Sequence, residues 1–250
     1  MNYCAVKCGN AVMHRRHSWC SEEFLFLKRE QKPRRRVKTA ADAVKFIDAA
    51  GFCLLFPIKN VALPSLYFAL TGRVPIQWDV AVDKLWKWKD HLPRQRRAFY
   101  SKYFKKRGTF ISLETLPYFL AMEGMSLEPR ASAGLYAAGR ITDDARTICE
   151  ALENHGTLAT LELRHICKME TVAGNKRYKR AMLELSRDLI FVHSGTEKET
   201  GAWASSRFEL TVRAFPKEAA AARRISPEAA RVALARLFGW TKAEAVEAMR

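Results

Sequence analysis

Apolar residues recur at helical spacing along most of the chain, and short turn-forming segments separate the periodic stretches. Thr39 and Asp42 form a capping box, and Gly51 follows the last periodic position, so the pattern predicts a helix over 40–50. The next predicted elements are a short buried strand or turn over 52–58, a helix over 64–71 and a tryptophan-rich helix over 78–91.

A basic helix is predicted over 94–107, because Pro93 can begin it and Gly108 can end it. The residues expected on its apolar face are Phe99, Tyr100, Tyr103 and Phe104. The basic residues expected on its other side and at its end are Arg94, Lys102, Lys105, Lys106 and Arg107.

Two segments, 108–116 and 156–164, share the same pattern of helix-ending and helix-capping residues. In each, a glycine ends a helix, a short extended stretch follows, and Ser112 or Thr160 can cap the next helix with an acid in its first turn. Helix, short strand, helix is how a winged helix-turn-helix module begins. The repeat therefore indicates two tandem modules.

The second module can be followed to its end. Helices are predicted over 142–154, 160–168 and 174–187, followed by a strand over 189–193 and a polar loop over 194–204. A last strand is expected to point Phe208, Leu210 and Val212 inward and Arg207, Glu209, Thr211 and Arg213 outward. The hairpin would be the wing. The predicted fold class is mainly α with small β-hairpins (α+β), built from tandem winged helix-turn-helix modules.

The predicted domain organisation has four parts. Residues 1–38 form a basic arm, 39–130 an N-terminal winged-helix-like module, 131–216 a winged-helix DNA-binding module and 217–250 a C-terminal helical extension. In the extension, Ser226 and Pro227 begin a helix that Gly239 ends, and Thr241 with Glu244 forms a further capping box.

The formal net charge is +17, and its excess lies in the N-terminal half of the chain. Such a surplus favours a polyanionic partner, either nucleic acid or a membrane surface, over a merely basic soluble protein. Residues 28–38 could bind phosphate as a flexible arm or serve as a solvated linker.

The helix over 174–187 has the pattern of a recognition helix, with an apolar stripe on one side and cations on the other. The candidate DNA-binding residues are Lys176, Arg177, Lys179, Arg180 and Arg187, with Arg164 on the preceding helix and Arg94, Lys102, Lys105, Lys106 and Arg107 on the predicted helix over 94–107. The alternative is a solvated helix face. Duplex DNA is the expected ligand, because no aromatic platform for stacking single-stranded bases is evident.

Metal and enzyme motifs are sparse. The Cys/His-rich segment at the N-terminus could supply the four ligands of a zinc ion, but its spacing fits no standard pattern. Its members are Cys4, Cys8, His14, His17 and Cys20. The sequence has no glycine-rich phosphate loop and no His-Glu-x-x-His motif, and Cys149 and Cys167 occupy core positions. No metal, cofactor or catalytic residue is expected.

The longest apolar stretch, residues 51–58, ends at Lys59 and is far shorter than the roughly 18 residues of a membrane span. Arg15 and Arg16 interrupt the early apolar residues, so no signal peptide is expected. These features predict a cytoplasmic, nucleoid-associated protein with no membrane partner.

Short motifs in the second module also carry a family resemblance. They are Asp144-Ala145-Arg146-x-Ile148, Gly156-Thr157-Leu158-x-Thr160-x-Glu162-Leu163-Arg164 and Leu210-x-x-Arg213-x-Phe215-Pro216. With them, the stretch 142–216 resembles the winged-helix region of the AlkZ/YcaQ-like bacterial proteins, which are crosslink-repair DNA glycosylases and their relatives. Residues 51–58 and 108–120 look like the family's N-terminal and middle parts.

The resemblance implies the fold and contact with DNA. The family's glycosylases carry a Gln-x-Gln or Gln-x-Asp pair on the strand after the first helix, where it positions the attacking water. The matching positions here are Leu54 and Phe56, which cannot orient water. We therefore expect a duplex-DNA-binding relative without glycosylase chemistry. The alternatives are a glycosylase or lesion-recognition enzyme with a displaced catalytic group, and a protein-interaction scaffold.

Overall fold

The computed structural model shows a mixed α/β protein whose strands form small antiparallel sheets. The residues that it describes are 4–8, 11–15, 37–59, 61–75, 77–124, 128, 130–197 and 204–239, the first two ranges for the backbone alone. Within these ranges, no helix has the length and apolar character that crossing a membrane requires.

At the N-terminus, β1 (Cys4–Cys8) pairs antiparallel with β2 (Ala11–Arg15). The side chains of the Cys/His-rich segment lie outside the described residues, as do residues 16–36 of the basic arm. The zinc alternative and the role of the arm therefore stay predictions.

The elements of the first folded unit lie close to the predicted ranges up to its third helix. Its elements are α1 (Ala40–Ala50), β3 (Phe52–Leu54), α2 (Leu66–Thr71), α3 (Val80–Arg94), β4 (Phe99–Ser101) and β5 (Thr109–Ile111). The Thr39–Asp42 capping box is present, and Gly51 ends α1 with φ of 69°. The three strands form one sheet in the order β3-β5-β4.

The predicted helix over 94–107 is wrong. Pro93 lies in the last turn of α3, and the chain leaves the helix at Gln95 before it extends into β4. Phe99 and Tyr100 are buried as expected. They point to opposite faces of a sheet, however, because β4 pairs with the distant strand β5. That pairing is non-local, so helical spacing within 94–107 could not reveal it.

Two helices, α4 (Leu116–Glu123) and α5 (Ser132–Ala137), lead into the second unit. The elements of this unit are α6 (Asp143–His155), β6 (Leu158–Ala159), α7 (Thr160–Ile166), α8 (Val172–Arg187), β7 (Phe191–Glu197) and β8 (Ser205–Leu210). Its sheet has the order β6-β8-β7. The predicted positions of its three helices are confirmed to within a few residues.

Two details of the second unit differ from expectation. The last strand stops at Leu210, and Thr211 begins the short helix α9 (Thr211–Ala214). Thr211 is buried rather than outward-facing, and its hydroxyl donates to the Leu189 carbonyl at 2.5 Å. Thr160 does not cap α7, because its hydroxyl donates instead to the Ser206 carbonyl on the neighbouring strand.

Both units run helix, strand, helix, helix, strand, strand, and both sheets place their third strand in the middle. The repeat predicted from 108–116 and 156–164 does not align equivalent elements. Gly156 precedes the first strand of its unit, whereas Gly108 precedes the third. The true counterpart of Gly156 is Gly51, and both have positive φ at the end of a first helix.

The sheet of the first unit is buried on both faces. One face presents Cys53, Tyr100 and Phe110 to the core of α1, α2 and α3. The other face belongs to a second core, which we call the junction core, and presents Phe52 and the residues level with it on β4 and β5. The further members of the junction core include Phe119, Leu189, Val192, Phe215, Ala230 and Leu234.

The junction core joins the two units and the C-terminal helices. Phe119 on α4 stacks on Phe52 with ring centroids 5.4 Å apart. The helices α10 (Pro216–Ala222) and α11 (Pro227–Phe238) pack against α4. The capping box at Thr241 lies outside the described residues.

The two units also contact each other reciprocally. On one side, the Ser101 hydroxyl at the end of β4 donates to the Ser186 carbonyl of α8 at 2.5 Å. On the other side, α3 packs along β7, and Arg94 lies across Gly195. A Cβ at Gly195 would stand 3.0 Å from Arg94 Cδ, so only glycine fits without displacing that side chain.

A buried histidine lies in this second contact. His193 on β7 is 7% exposed, and its Nε2 is 3.4 Å from Asp90 Oδ1 on α3. Burial, with a smaller contribution from the nearby cations Lys89 and Lys102, lowers the pKa of His193 to about 3. Burial also raises the pKa of Asp90.

Acidification should therefore destabilise the fold through His193. Its pKa is 6.5 when exposed and about 3 when folded, so stability is lost as the pH falls from 6.5 towards 3. The raised pKa of Asp90 acts in the opposite direction, and a His193→Gln variant isolates the histidine. In urea titrations between about pH 7 and pH 5, the variant should gain on the wild type by up to about 1.4 kcal/mol per pH unit below the ordinary histidine pKa. A pH-independent difference would contradict this.

Candidate nucleic-acid interface

The exposed side of α8 is set by how the helix is buried. Tyr178, Ala181 and Leu185 face the core of the second unit. At its start, Gly174 approaches the backbone of Met169 so closely that a Cβ would stand 2.8 Å away. The cations predicted on the opposite side are all exposed, namely Lys176, Arg177, Lys179, Arg180 and Arg187.

Not all of these cations are available to a ligand. Arg177 forms an ion pair with Asp144 at the start of α6, and Arg187 Nε donates to Asp188 Oδ1 at 3.1 Å. By contrast, no described carboxylate pairs with Lys176, Lys179 or Arg180. These three charges remain free for an external anion.

Arg164 has a structural task. Its Nε donates to the Met169 carbonyl at 3.1 Å and its Nη2 donates to the Glu170 carbonyl at 2.8 Å, closing the turn between α7 and α8. Arg213 similarly donates to the carbonyls of Leu152 and Glu153 at the end of α6. Residues that carry the family resemblance thus hold the second unit together.

The cations expected on a helix over 94–107 are instead divided between two places. Arg94 ends α3. Lys102, Lys105, Lys106 and Arg107 lie on the turn between β4 and β5, which we call the basic turn (residues 102–107), and all four are exposed. The buried rings of Tyr103 and Phe104 anchor the turn in the junction core.

The backbone of the basic turn is strained. Lys105 and Lys106 have φ of 45° and 60°, and the Arg107 N–H donates to the Phe104 carbonyl at 2.7 Å. Two consecutive left-handed residues inside such a hydrogen bond form a type I′ turn, for which Asn-Gly is the favoured pair. Lysine at both positions costs on the order of 1 kcal/mol each.

The basic turn lies against α8. The Lys102 N–H donates to the Ser186 hydroxyl at 2.9 Å, and the turn contacts the helix directly. The structure therefore places the basic turn, from the first predicted module, beside the C-terminal end of α8, from the second. Arg94 lies elsewhere, at the other contact between the units, beside Gly195.

Sequence reasoning missed an acidic pair beneath the basic turn. The Tyr103 hydroxyl donates to Glu123 Oε1 at 2.6 Å. Burial raises the pKa of Glu123, and the nearby Asp188 carboxylate raises it further. Burial also raises the pKa of Asp188, at the end of α8. No spacing in the sequence relates Glu123 and Asp188, because the two acids lie on different elements and their neighbour Tyr103 lies on a third.

A small cavity borders Asp188. It is also lined by Ser132, Cys149 and Glu153, and its volume of about 20 Å³ accommodates roughly one water molecule. A nucleobase would not fit. Burial raises the pKa of the Cys149 thiol well above its ordinary value, so this cysteine is not a ready nucleophile.

The positions matched to the family's catalytic pair are apolar in their surroundings as well as in their own side chains. Leu54 is fully buried in the junction core. Phe56 is half-buried, with its ring 5.7 Å from that of Tyr67. Among the described residues, no group of three or more His, Cys, Asp and Glu side chains could hold a metal ion.

The sequence profile of the AlkZ-related family matches residues 37–248. The chain belongs to the AlkZ-related family. This match confirms the resemblance seen in the short motifs of the second unit. The chain is therefore a relative of DNA glycosylases. Neither the curated proteins nor the solved structures yielded a match.

The strain in the basic turn makes a testable prediction. Replacing both strained residues by the favoured pair, Lys105→Asn with Lys106→Gly, should raise the free energy of unfolding by about 1–2 kcal/mol, because the left-handed conformation no longer opposes the side chains. Urea denaturation measures the gain. The matched control is Lys105→Ala with Lys106→Ala, which removes the same charges but keeps the strain. An equal gain in both variants would show that relief of charge repulsion is the cause.

Proposed function

We propose that this AlkZ-related protein is a tandem winged-helix protein that binds duplex DNA through α8 and the basic turn and lacks the family's glycosylase chemistry. The observation that carries the proposal is that the basic turn packs against the C-terminal end of α8, the helix on which the free cations Lys176, Lys179 and Arg180 are exposed. A cytoplasmic, nucleoid-associated location is the corresponding expectation.

The order of elements supports the winged-helix assignment. Three helices and a three-stranded antiparallel sheet with the last strand in the middle occur in both units. In such a module the third helix enters the major groove and a hairpin lies over the neighbouring backbone. In the second unit α8 is the third helix.

The two parts of the interface would have different roles. Lys176, Lys179 and Arg180 lie on the exposed side of α8, where they can reach base edges and phosphates in the major groove. Lys105 and Lys106 are held at the tip of a rigid turn, which suits contacts to the phosphate backbone. The strain at the turn is consistent with charge placement taking precedence over local stability.

The proposal that glycosylase activity is absent rests on the first unit. Leu54 and Phe56 provide no group that could position water or stabilise positive charge on the sugar. The surroundings of Leu54 are a hydrophobic core rather than a cleft, so a neighbouring side chain could not easily substitute for it there.

The duplex-binding proposal can be tested with Lys176→Ala, Lys179→Ala and Arg180→Ala combined. Fluorescence anisotropy with a labelled 20-base-pair duplex should show an affinity reduced about tenfold or more. The slope of log affinity against log salt should flatten by about 2–3, since each lost phosphate contact contributes about 0.9.

The matched control removes three exposed cations from the C-terminal segment 216–238, Lys217→Ala, Arg224→Ala and Arg236→Ala. It changes the net charge equally but should leave affinity and slope nearly unchanged. Equal effects of both triple variants would show that overall charge, and not α8, governs binding. No binding of the wild type at low salt would favour the protein-interaction scaffold.

A second candidate function is a glycosylase with a displaced catalytic group, and the acidic pair beneath the basic turn favours it. Glu123 and Asp188 have raised pKa values and lie next to the proposed DNA surface. A carboxyl with a raised pKa suits general acid or base chemistry. The cavity beside Asp188 is too small for a base, which argues against this function.

Base release from alkylated duplex DNA distinguishes the two functions. We expect no release by the wild-type protein above the spontaneous rate. Release that is abolished by Asp188→Asn or Glu123→Gln, with duplex affinity unchanged, would establish the displaced catalytic group instead.

A further inference from the structure

The second contact between the units, like the first, is flanked by exposed cations. They lie on residues 94–97, Arg-Gln-Arg-Arg, which we call the arginine turn, and all four side chains are exposed. No described carboxylate forms an ion pair with Arg94, Arg96 or Arg97. Burial raises the pKa of Asp48 on α1 and the charge of Arg97 opposes this rise, but these two side chains form no ion pair. The three guanidinium groups are therefore available to an external anion.

The arginine turn is strained at Arg96. The Arg97 N–H donates to the Leu92 carbonyl and the Arg96 N–H donates to the Pro93 carbonyl, both at 2.9 Å, which is the Schellman motif that ends many helices. The left-handed position of this motif is usually glycine, and Gly139 occupies it at the end of α5. At the end of α3 it is Arg96, with φ of 52°. A side chain in this conformation costs stability, which indicates that the charge has a task.

Cations recur at such strained positions. Among the described residues other than glycine, five have positive φ, and four of these are Arg96, Lys105, Lys106 and Lys168. The fifth, Leu189, is buried in the junction core, so its packing can compensate for the strain. The four cations are exposed and gain no comparable packing. Their shared property is a positive charge held at the protein surface.

The arginine turn lies towards the loop end of the β7–β8 hairpin. Asp90 on α3 lies against His193 on β7, and four residues later Arg94 lies across Gly195. Four helical residues and two strand residues each advance by about 6 Å, so α3 and β7 run side by side in the same direction. The turn that follows Arg94 is therefore level with the last residues of β7, where the connecting loop of the hairpin begins.

The hairpin itself has no surplus of positive charge. Its residues 191–210 include the basic Lys198 and Arg207 and the acidic Glu197, Glu199 and Glu209. Arg207 is already paired with Glu197, with Nη1 and Oε2 3.3 Å apart. The proposed function places this hairpin over the phosphate backbone of the duplex. Cations for that contact have to come from another element, and the arginine turn of the first unit lies beside the hairpin.

We propose that the arginine turn binds phosphates of the duplex next to the β7–β8 hairpin, so that the first unit supplies the positive charge that the hairpin of the second unit lacks. The inference rests on the proposed function, because it takes duplex DNA as the ligand. It assigns Arg96 and Arg97 as phosphate-binding residues and moves Arg94 from the predicted helix to this turn. Arginine suits the role because its planar guanidinium group can donate two hydrogen bonds to one phosphate.

The test is a triple variant that removes these charges without disturbing the contact between the units, Arg94→Gln, Arg96→Gly and Arg97→Gln. Glutamine at 94 keeps much of the alkyl stem over Gly195, and glycine at 96 suits the left-handed backbone. Fluorescence anisotropy with a labelled 20-base-pair duplex should show an affinity reduced about tenfold or more at roughly 100 mM salt. The slope of log affinity against log salt should flatten by about 2–3, since each lost phosphate contact contributes about 0.9.

Two comparisons show whether the lost contacts are to phosphates. The loss should be the same for A·T-rich and G·C-rich duplexes, because phosphate contacts carry no sequence information. A variant that keeps the three charges should retain the salt slope, namely Arg94→Lys, Arg96→Lys and Arg97→Lys. The matched control for net charge is the C-terminal triple variant Lys217→Ala, Arg224→Ala and Arg236→Ala, which should change neither affinity nor slope appreciably.

The single variant Arg96→Gly separates a binding role from a structural one. The midpoint of its urea unfolding should rise, because glycine relieves the left-handed strain, while its duplex affinity should fall about two- to tenfold for one lost phosphate contact. A fall in both the midpoint and the affinity would overturn the binding role, because Arg96 would then act through the fold.

The remaining outcomes distinguish this inference from the proposed function. If the arginine-turn variant binds like the wild type while the α8 triple variant is weakened, the arginine turn is not a contact and the proposed function stands. A loss no greater than that of the C-terminal control would likewise overturn the arginine turn. Failure of the wild type to bind the duplex at low salt would overturn both. A combined α8 and arginine-turn variant whose slope flattens by the sum of the two separate changes would support two sets of phosphate contacts.

Discussion

The burial of the first sheet on both faces is the constraint on which the rest of the structure depends. A three-stranded sheet with Tyr100 and Phe110 on one face and Phe99 and Ile111 on the other cannot remain exposed on either side. One face is covered by the helices of its own unit. The other must be covered by α4, the C-terminal helices and part of the second unit, and this requirement fixes how the two units are arranged.

That arrangement determines where the charges lie. Because β4 and β5 are held between two cores, the turn that joins them projects from a rigid base. The surrounding packing can therefore hold Lys105 and Lys106 in the left-handed backbone conformation despite its cost. The same packing brings Ser101 to Ser186, so the turn stands beside α8. The exposed cations of the basic turn and those of α8 therefore lie on neighbouring elements, although they come from different units.

Local signals in the sequence were sufficient for much of this fold. The Thr39 capping box, the glycine at 51 and the apolar stripe that includes Tyr178 each act within one or two turns of chain, and each predicted its element. The strand β4 could not be predicted in this way, because its partner β5 decides its conformation. The predicted repeat also aligned the wrong strands, since Gly108 precedes the third strand of its unit and Gly156 precedes the first strand of its own.

The candidate site was predictable only in part, for a related reason. The cations of α8 follow from helical periodicity, but their availability depends on partners such as Asp144, which lies far away in sequence. Arg164 looked like a ligand-binding residue and is a turn-closing one. Trp78 and Trp86 are exposed whereas Trp88 is buried, and the tryptophan-rich composition of this segment did not show which of the three would be exposed.

The reciprocal contact between the units bears on whether either unit can be separated from the other. A fragment limited to the second unit would retain α8 but would lose the hairpin that flanks it, since that hairpin belongs to the first unit. It would also uncover Leu189, Val192 and Phe215, which belong to the junction core. In this protein α8 and its neighbouring hairpin are encoded by different halves of the chain, so neither half alone contains the surface that they form together.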